Sequence, residues 1–319
     1  MAGNIYIDSG SGAGDMTYAV NPYAMAKGLE RLNYNLVATN LITNYSQEAR
    51  SQGTRVSQNV RVPIRGSLSA ATKTPGSAAT YQQAATTKAD IAINIHETVD
   101  FLIEDYGGLF DPSTIEGYMV DAGSTLAEAI ENDVIGLYAS AGATKGTATA
   151  GITMALLGTL QKDAMEALWR GNEPSYLIVG PEGYYDLWNL AQLTQYAIEG
   201  GDQRTFRNGY IGQLGGFETF KSNLIPAVSG SPAGEHCMAF QKESMGIAFV
   251  DMSTSGLPAG YGAGVSIQPI NKEDDNGNLV YSMRSIVGYS QTNRGMSVSV
   301  DSIWGVGVVR SALLFDVLV

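Results

Sequence analysis

Two kinds of hydrophobic spacing succeed each other along these 319 residues. From Ser113 to Ala141 apolar side chains return every three or four positions, at Ile115, Met119, Ala122, Leu126, Ile130, Val134, Leu137 and Ala141. That period places them on one side of a helix. Asp121, Glu128, Glu131 and Asp133 fall off the stripe and are expected on a solvated face. Pro112 precedes the segment, and Glu116 stands three residues after Ser113, the spacing of a reciprocal cap. Gly142 is available as a left-handed cap at the far end, and Gly123-Ser124 could divide the helix. A second amphipathic helix is expected over Ile152 to Trp169, with Leu156, Leu157, Leu160, Ala164, Met165, Leu168 and Trp169 on its apolar side.

Upstream the period is two. Ile91, Ile93, Ile95, Val99, Phe101 and Ile103 alternate with Asn94, His96, Thr98 and Asp100, which predicts a half-buried strand. A first strand over Thr54 to Arg65 carries Val56, Val60, Val62 and Ile64 among arginines. Between the two lies a polar span, Gly66 to Asp90, in which Leu68 and Tyr81 are the only large apolar side chains. Loops of this length are uncommon in compact domains, and a lone two-stranded arm is marginal in water. Such an arm needs a surface to lie on, which a subunit of a large assembly would provide.

Residues 1 to 20 are rich in Gly and Ser, and a short helix is expected over Asn21 to Leu36. After the second helix come a strand at Tyr176 to Val179 and a helix from Pro181 to Leu190, then strands at Gly216 to Ser222, His236 to Gln241 and Gly246 to Val250. A hairpin follows, Val265 to Ile270 and Leu279 to Gln291, around Asp274-Asp275-Asn276-Gly277. Three closing strands are expected near Met296 to Val300, Gly305 to Val309 and Leu313 to Val319. The pattern is α+β.

Charge adds to the picture of the arm. The net is −12, which argues against a nucleic-acid-binding surface. Residues 1 to 90 carry a net of +3, however, and the remainder −15. A basic extension on an acidic body suits subunits that lay arms across their neighbours. Arg55, Arg61, Arg65, Leu68, Lys73, Tyr81 and Lys88 are therefore the candidate intersubunit contacts. The single cysteine, Cys237, rules out an internal disulfide framework and is expected to be a buried structural thiol. No basic-then-apolar leader and no run of 18 apolar residues occurs, so neither secretion by that route nor a membrane span is expected.

Catalytic and cofactor motifs are not evident. The two histidines, His96 and His236, leave few builders for His-based catalysis or a zinc site, and His96 is expected at the surface. Gly10-Ser11-Gly12-Ala13-Gly14-Asp15 lacks the third glycine of a dinucleotide loop. Asp274 to Asn278 lacks the outer ligands of a calcium loop and reads as a turn. Glu104-Asp105 and Glu131 with Asp133 read as solvated acidic pairs. No catalytic residue, metal ligand or cofactor is assigned.

Three segments carry a family resemblance. Phe206-Arg207-Asn208-Gly209-Tyr210-Ile211-Gly212 leads into Gly215-Gly216-Phe217-Glu218-Thr219-Phe220-Lys221-Ser222-Asn223-Leu224-Ile225-Pro226. His236 to Phe249 forms a following strand pair, and Gly305-Val306-Gly307-Val308-Val309-Arg310 lies near the end, with Ser311 where a proline is common. With the order of elements over about residues 50 to 319, the chain resembles the major capsid proteins of tailed bacteriophages, the Hong Kong 97-type capsid fold.

The resemblance implies an N-terminal arm (1–53), an extended loop (54–98), a peripheral domain with a spine helix and long hairpin (99–145 and 263–305), and an axial domain of mixed sheet and helices (146–262 and 306–319). It also implies a virion shell of hexamers and pentamers around packaged double-stranded DNA, assembled in the host bacterial cytoplasm, with no enzymatic activity and no membrane. The extension starts near residue 54, which leaves no room for a scaffolding segment, so assembly would depend on a separate scaffolding protein or on the capsid protein alone; portal and decoration proteins are the other candidate partners. Lys73 and Lys88 lie in the loop that some relatives cross-link, but no matching asparagine and glutamate can be assigned. The rival readings are an encapsulin-type shell around cargo enzymes, an oligomeric α+β enzyme, and an oligomeric surface or tail protein.

Overall fold

The computed structural model describes residues 27–28, 30, 36–51, 58–66, 68–78, 81–83, 85–104, 113–148, 150–169, 171, 173–190, 212–228, 234–252, 265–274 and 277–319. The expected motifs at 10–15 and 206–211, and Arg55, lie outside them. Of the helix expected over Asn21 to Leu36, Lys27, Gly28, Glu30 and Leu36 are described; the first three are helical and Leu36 is not.

In chain order the described strands begin with β1 (Thr43–Asn44), β2 (Asn59–Arg65), β3 (Thr86–Ala92), β4 (Ile95–Glu104), β5 (Ala143–Gly146) and β6 (Ser175–Val179). They continue with β7 (Gly212–Leu214), β8 (Phe217–Lys221), β9 (Ala227–Val228), β10 (Gly234–Gln241) and β11 (Met245–Phe249). The last are β12 (Val265–Glu273), β13 (Leu279–Ser290), β14 (Gly295–Val308) and β15 (Leu314–Leu318). Two mixed sheets and one isolated hairpin result.

The first sheet is organised by β14, a single strand of 14 residues where two were expected. Asp301 and Ser302 interrupt the apolar alternation between the two expected segments, but the strand runs on through them, and β11 pairs its far end from Phe249 against Trp304 to Met245 against Val308. β13 pairs the other end of β14, from Asp301 to Gly295. β4 pairs the opposite edge, from Ile95 against Trp304 to Glu104 against Gly295. β12 and β1 complete the sheet at its margins.

The long helix, Ser113–Ile135, covers one face and continues as a 3-10 turn, Gly136–Ser140. Met119, Leu126, Ile130 and Val134 are buried in one core with Val298, Val300 and Trp304, as the stripe requires. Two expectations for this helix fail. Glu131 is not solvated: it is 2% exposed and accepts from the backbone amides of Ala38 (3.0 Å) and Thr39 (3.2 Å). Asp133 is half-buried and accepts from Trp304 Nε1 at 2.9 Å. Gly142 is not a left-handed cap either. It is a close-approach glycine, whose added Cβ would stand 2.4 Å from the Ser311 carbonyl oxygen. The helix also runs unbroken through Gly123, where an added Cβ would stand 2.3 Å from the Gly28 carbonyl oxygen.

The second sheet has the order β5-β15-β10-β6-β8-β7, with β9 on β10. Its central strands are near-continuous apolar runs because both faces are covered. Helix Met154–Glu166 buries Leu157, Leu160 and Ala164, and Thr153 caps it by accepting from Leu156 N at 3.2 Å. Met165 and Leu168, expected on its inner side, are 67% and 84% exposed. The helix ends at Glu166, and Leu168 turns outward at φ +57° while Trp169 stacks on Phe315 at 4.9 Å. Cys237 is fully buried, and burial pushes its thiol up to about 12, which makes it a structural residue.

Candidate assembly surfaces

The extension is shorter than its sequence pattern suggests. β2 pairs with β3, from Asn59 against Ala92 to Arg65 against Thr86, so the second strand of the arm is Thr86–Ala92. The clean alternation from Ile95 onward belongs to the first sheet instead. Within the hairpin, alternation turns Val60, Val62 and Ile91 inward. Beyond Gly66, whose amide donates to Ala85 O at 2.8 Å, the tip is exposed. Gln82 stitches it across, accepting from Ser69 N at 3.0 Å, and Gly76 turns it at φ +84°.

Leu68 and Tyr81 stand on that tip at 71% and 93% exposure. Lys73 and Arg65 are exposed as well. Arg61 and Lys88 meet at Asp90, 3.8 and 3.2 Å away, so part of the arm's positive charge is answered within the hairpin. Pairs this exposed contribute at most about 1 kcal/mol.

The base of the hairpin rests on the sheet face opposite the long helix. Strand alternation puts Ser297, Ser299, Asp301, Ile303, Gly305 and Gly307 of β14 on that face. At one end, a groove of about 500 Å³ is lined by Asp100 and Leu102 of β4, Ile286 of β13, and Ser297, Ser299 and Asn293. Its small side chains make the hollow, and Leu102, 40% exposed, forms an apolar wall. Midway, nearly buried Asp301 accepts from Arg284 Nε at 3.0 Å and meets His96 Nε2 at 2.9 Å. His96 is thus at the surface as expected, but tied to Asp301. A second groove, of about 470 Å³, opens under the hairpin between Val62, Ile64, Tyr45, Pro174 and the Arg310–Glu243 pair.

Elsewhere buried ionic groups hold elements together. His236 Nδ1 lies 3.0 Å from Asp316 Oδ1 and its ring stacks on Tyr138 at 4.2 Å. Glu235 accepts from Gly183 N at 2.8 Å at the start of helix Pro181–Asn189, and burial raises its carboxyl. Among the described residues no group of three or more His, Cys, Asp and Glu is arranged to hold a metal, and no helix is long and apolar enough to cross a membrane.

A two-sheet body with a spine helix and a projecting hairpin is the architecture of shell subunits, and solved structures share it. The chain superposes on the Mycobacterium phage Che8 structure with a TM-score of 0.61 at 17% identity, over 88% of this chain and 90% of that one. The capsid of cyanophage P-SCSP1u gives 0.56 at 16% identity, over 87% and 86%. A virus-like particle from Pyrococcus furiosus gives 0.53 at 14%, over 93% and 98%. No curated protein matches the sequence. The fold is the Hong Kong 97-type capsid fold. Within it, the chain belongs to the phage capsid protein family, whose model matches residues 86–293, and is a structural major capsid protein. That match favours a phage head over an encapsulin-type shell, which the fold alone does not separate.

Proposed function

We propose that copies of this chain close into an icosahedral shell of hexamers and pentamers that encloses double-stranded DNA, and that each extension is the device that binds neighbours. Shell building would be its whole role, without catalysis, in the host cytoplasm. The observation that carries the reading is the tip: Leu68 and Tyr81 are large, apolar and exposed on a segment with no core of its own. The groove at Asp100, Leu102, Ser297 and Ser299 faces the same side as the hairpin and is the receptor this reading assigns on a second copy. Its acidic member, Asp100, with Glu104 on the same face of β4, complements Lys73 and Arg65.

The division into arm, extension, peripheral and axial domains is part of this reading, and the pairing of β4 with β14 from Ile95 onward argues for beginning the peripheral part there. Scaffolding, portal and decoration proteins would meet the assembled shell, and DNA would fill it without sequence-specific contacts.

Electron microscopy of the purified protein tests the proposal. Closed particles are expected from the wild-type chain, and folded but unassembled subunits after residues 67–85 are replaced by a two-residue turn. Normal closed particles from the shortened chain would overturn the role of the extension.

A further inference from the structure

The hairpin meets the body on three glycines. Gly246 and Gly307 are partners in the β11–β14 ladder, and Gly305 lies two residues before Gly307 on the same face. A Cβ at Gly305 would stand 2.1 Å from the Ala92 carbonyl oxygen, and one at Gly246 would stand 2.6 Å from the Tyr45 ring and 2.8 Å from Ile91 Cδ1. At Gly307 the added carbon would lie 3.4 Å from Ile91 Cγ1. None of the three has a left-handed φ, so space rather than backbone freedom explains the glycines.

Around this flat patch Val60, Val62, Ile91 and Ile93 form a small core with Ala248, Ile303 and Val309, separate from the main one. β2 and β3 pair only with each other, so the hairpin is held to the body by packing rather than by a shared ladder. Packing against a smooth surface fixes height and tilt through atomic size.

We propose that Gly246, Gly305 and Gly307 form a seat that sets the angle at which the extension leaves the body, and thereby the angle between neighbouring subunits. The second half rests on the shell reading above; the first does not. A side chain at Gly246 or Gly305, or one larger than alanine at Gly307, displaces Ile91 or the Ala92 backbone, and the tip, at the end of the lever, moves furthest. Valine is at home in a strand, so Gly307→Val changes the seat without opposing the local backbone.

The test uses spin labels on the isolated subunit at Ser77→Cys on the tip and Glu128→Cys on the long helix; buried Cys237 stays unlabelled. Gly307→Val should shift the label distance at wild-type melting temperature, whereas Gly307→Ala, whose added carbon meets Ile91 Cγ1 at an ordinary 3.4 Å contact, should leave it near the wild-type value. Ile91→Ala added to Gly307→Val should return the distance. An unchanged distance in Gly307→Val, or a shift that Ile91→Ala does not reverse, would overturn the seat. Where wild type assembles, Gly307→Val should give open or differently sized particles and the double variant should restore closure. Wild-type diameters despite a shifted distance would refute the second half alone, whereas a wild-type chain that never assembles would refute the shell reading and leave the seat to the label distances.

Discussion

On one face of β14, Val298, Val300 and Trp304 lie in a core closed by the long helix. On the other, the same strand carries serines, a buried carboxylate and glycines, and its own chain covers only part of them. The first face is built as any domain core is built. The second holds a hairpin at one end and an open groove at the other. One frame of alternation therefore gives the strand an even face closed by the helix and an odd face that carries the subunit's own hairpin at one end and leaves a groove open at the other.

The sharpest break in that comparison comes from the helix side. Leu126 is fully buried, so Leu126→Asp places an unpaired charge in the core, which costs several kcal/mol and exceeds the margin of many domains. Insoluble protein is expected on expression, whereas Glu128→Lys, on the exposed side of the same helix, should give a folded subunit. Equal loss from both would mean that the helix is buried all round.

Next in size is the ionic cluster on the open face. Asp301→Ala leaves Arg284, whose side chain is 12% exposed, without its carboxylate. The expected cost is about 3 kcal/mol in urea denaturation. His96→Ala should cost well under about 1 kcal/mol, because that side chain is 45% exposed. Similar costs for the two would show that Asp301 does not depend chiefly on Arg284.

Glu131 gives a smaller, pH-dependent effect. Burial outweighs the hydrogen bonds from residues 38 and 39 and raises its carboxyl above the ordinary 4.5. The folded state then holds that proton more tightly than the unfolded chain. The group's favourable contribution is full below about pH 4.5 and is lost as pH rises through the folded value. Wild type should lose melting temperature relative to Glu131→Gln as pH rises from about 4.5 toward neutrality. A difference flat in pH would contradict burial as the dominant effect.

The smallest effect on stability should come from the tip. Leu68→Ser with Tyr81→Ser should leave subunit stability within about 0.5 kcal/mol of wild type, since both side chains are exposed. Their loss should appear in light scattering as fewer assembled particles.

What could be read from the sequence follows the same division. The stripe through Met119, Leu126, Ile130 and Val134 was legible because helix and partner sheet answer one period. β3 was not, because Thr86 to Ala92 is polar apart from Ile91, and what receives it are glycines more than 150 positions away. β14 read as two strands because Asp301 and Ser302 interrupt the apolar alternation, and their partners, Arg284 and the Ser282 carbonyl, lie on another strand. Glu131 looked solvated because its partners are backbone amides 92 and 93 positions distant, which no side-chain pattern announces. Leu168 continued the helix stripe, but the helix ends at Glu166 and the chain carries it outward; Met165, still helical, sits beside the buried Ala164 on the exposed flank. The candidate contacts at Leu68 and Tyr81 were legible as apolar side chains in a segment too polar to hide them.

The central claim is that the extension of one copy lies on the open face of another. A cryo-electron microscopy map of the assembled particle, at a resolution that traces the chain, tests it directly. Residues 66–85 of one subunit should cross a neighbour's sheet near Asp100, Leu102, Ser297 and Ser299, with Leu68 or Tyr81 in the groove. An extension folded onto its own subunit, with that groove empty in the closed shell, would contradict the account.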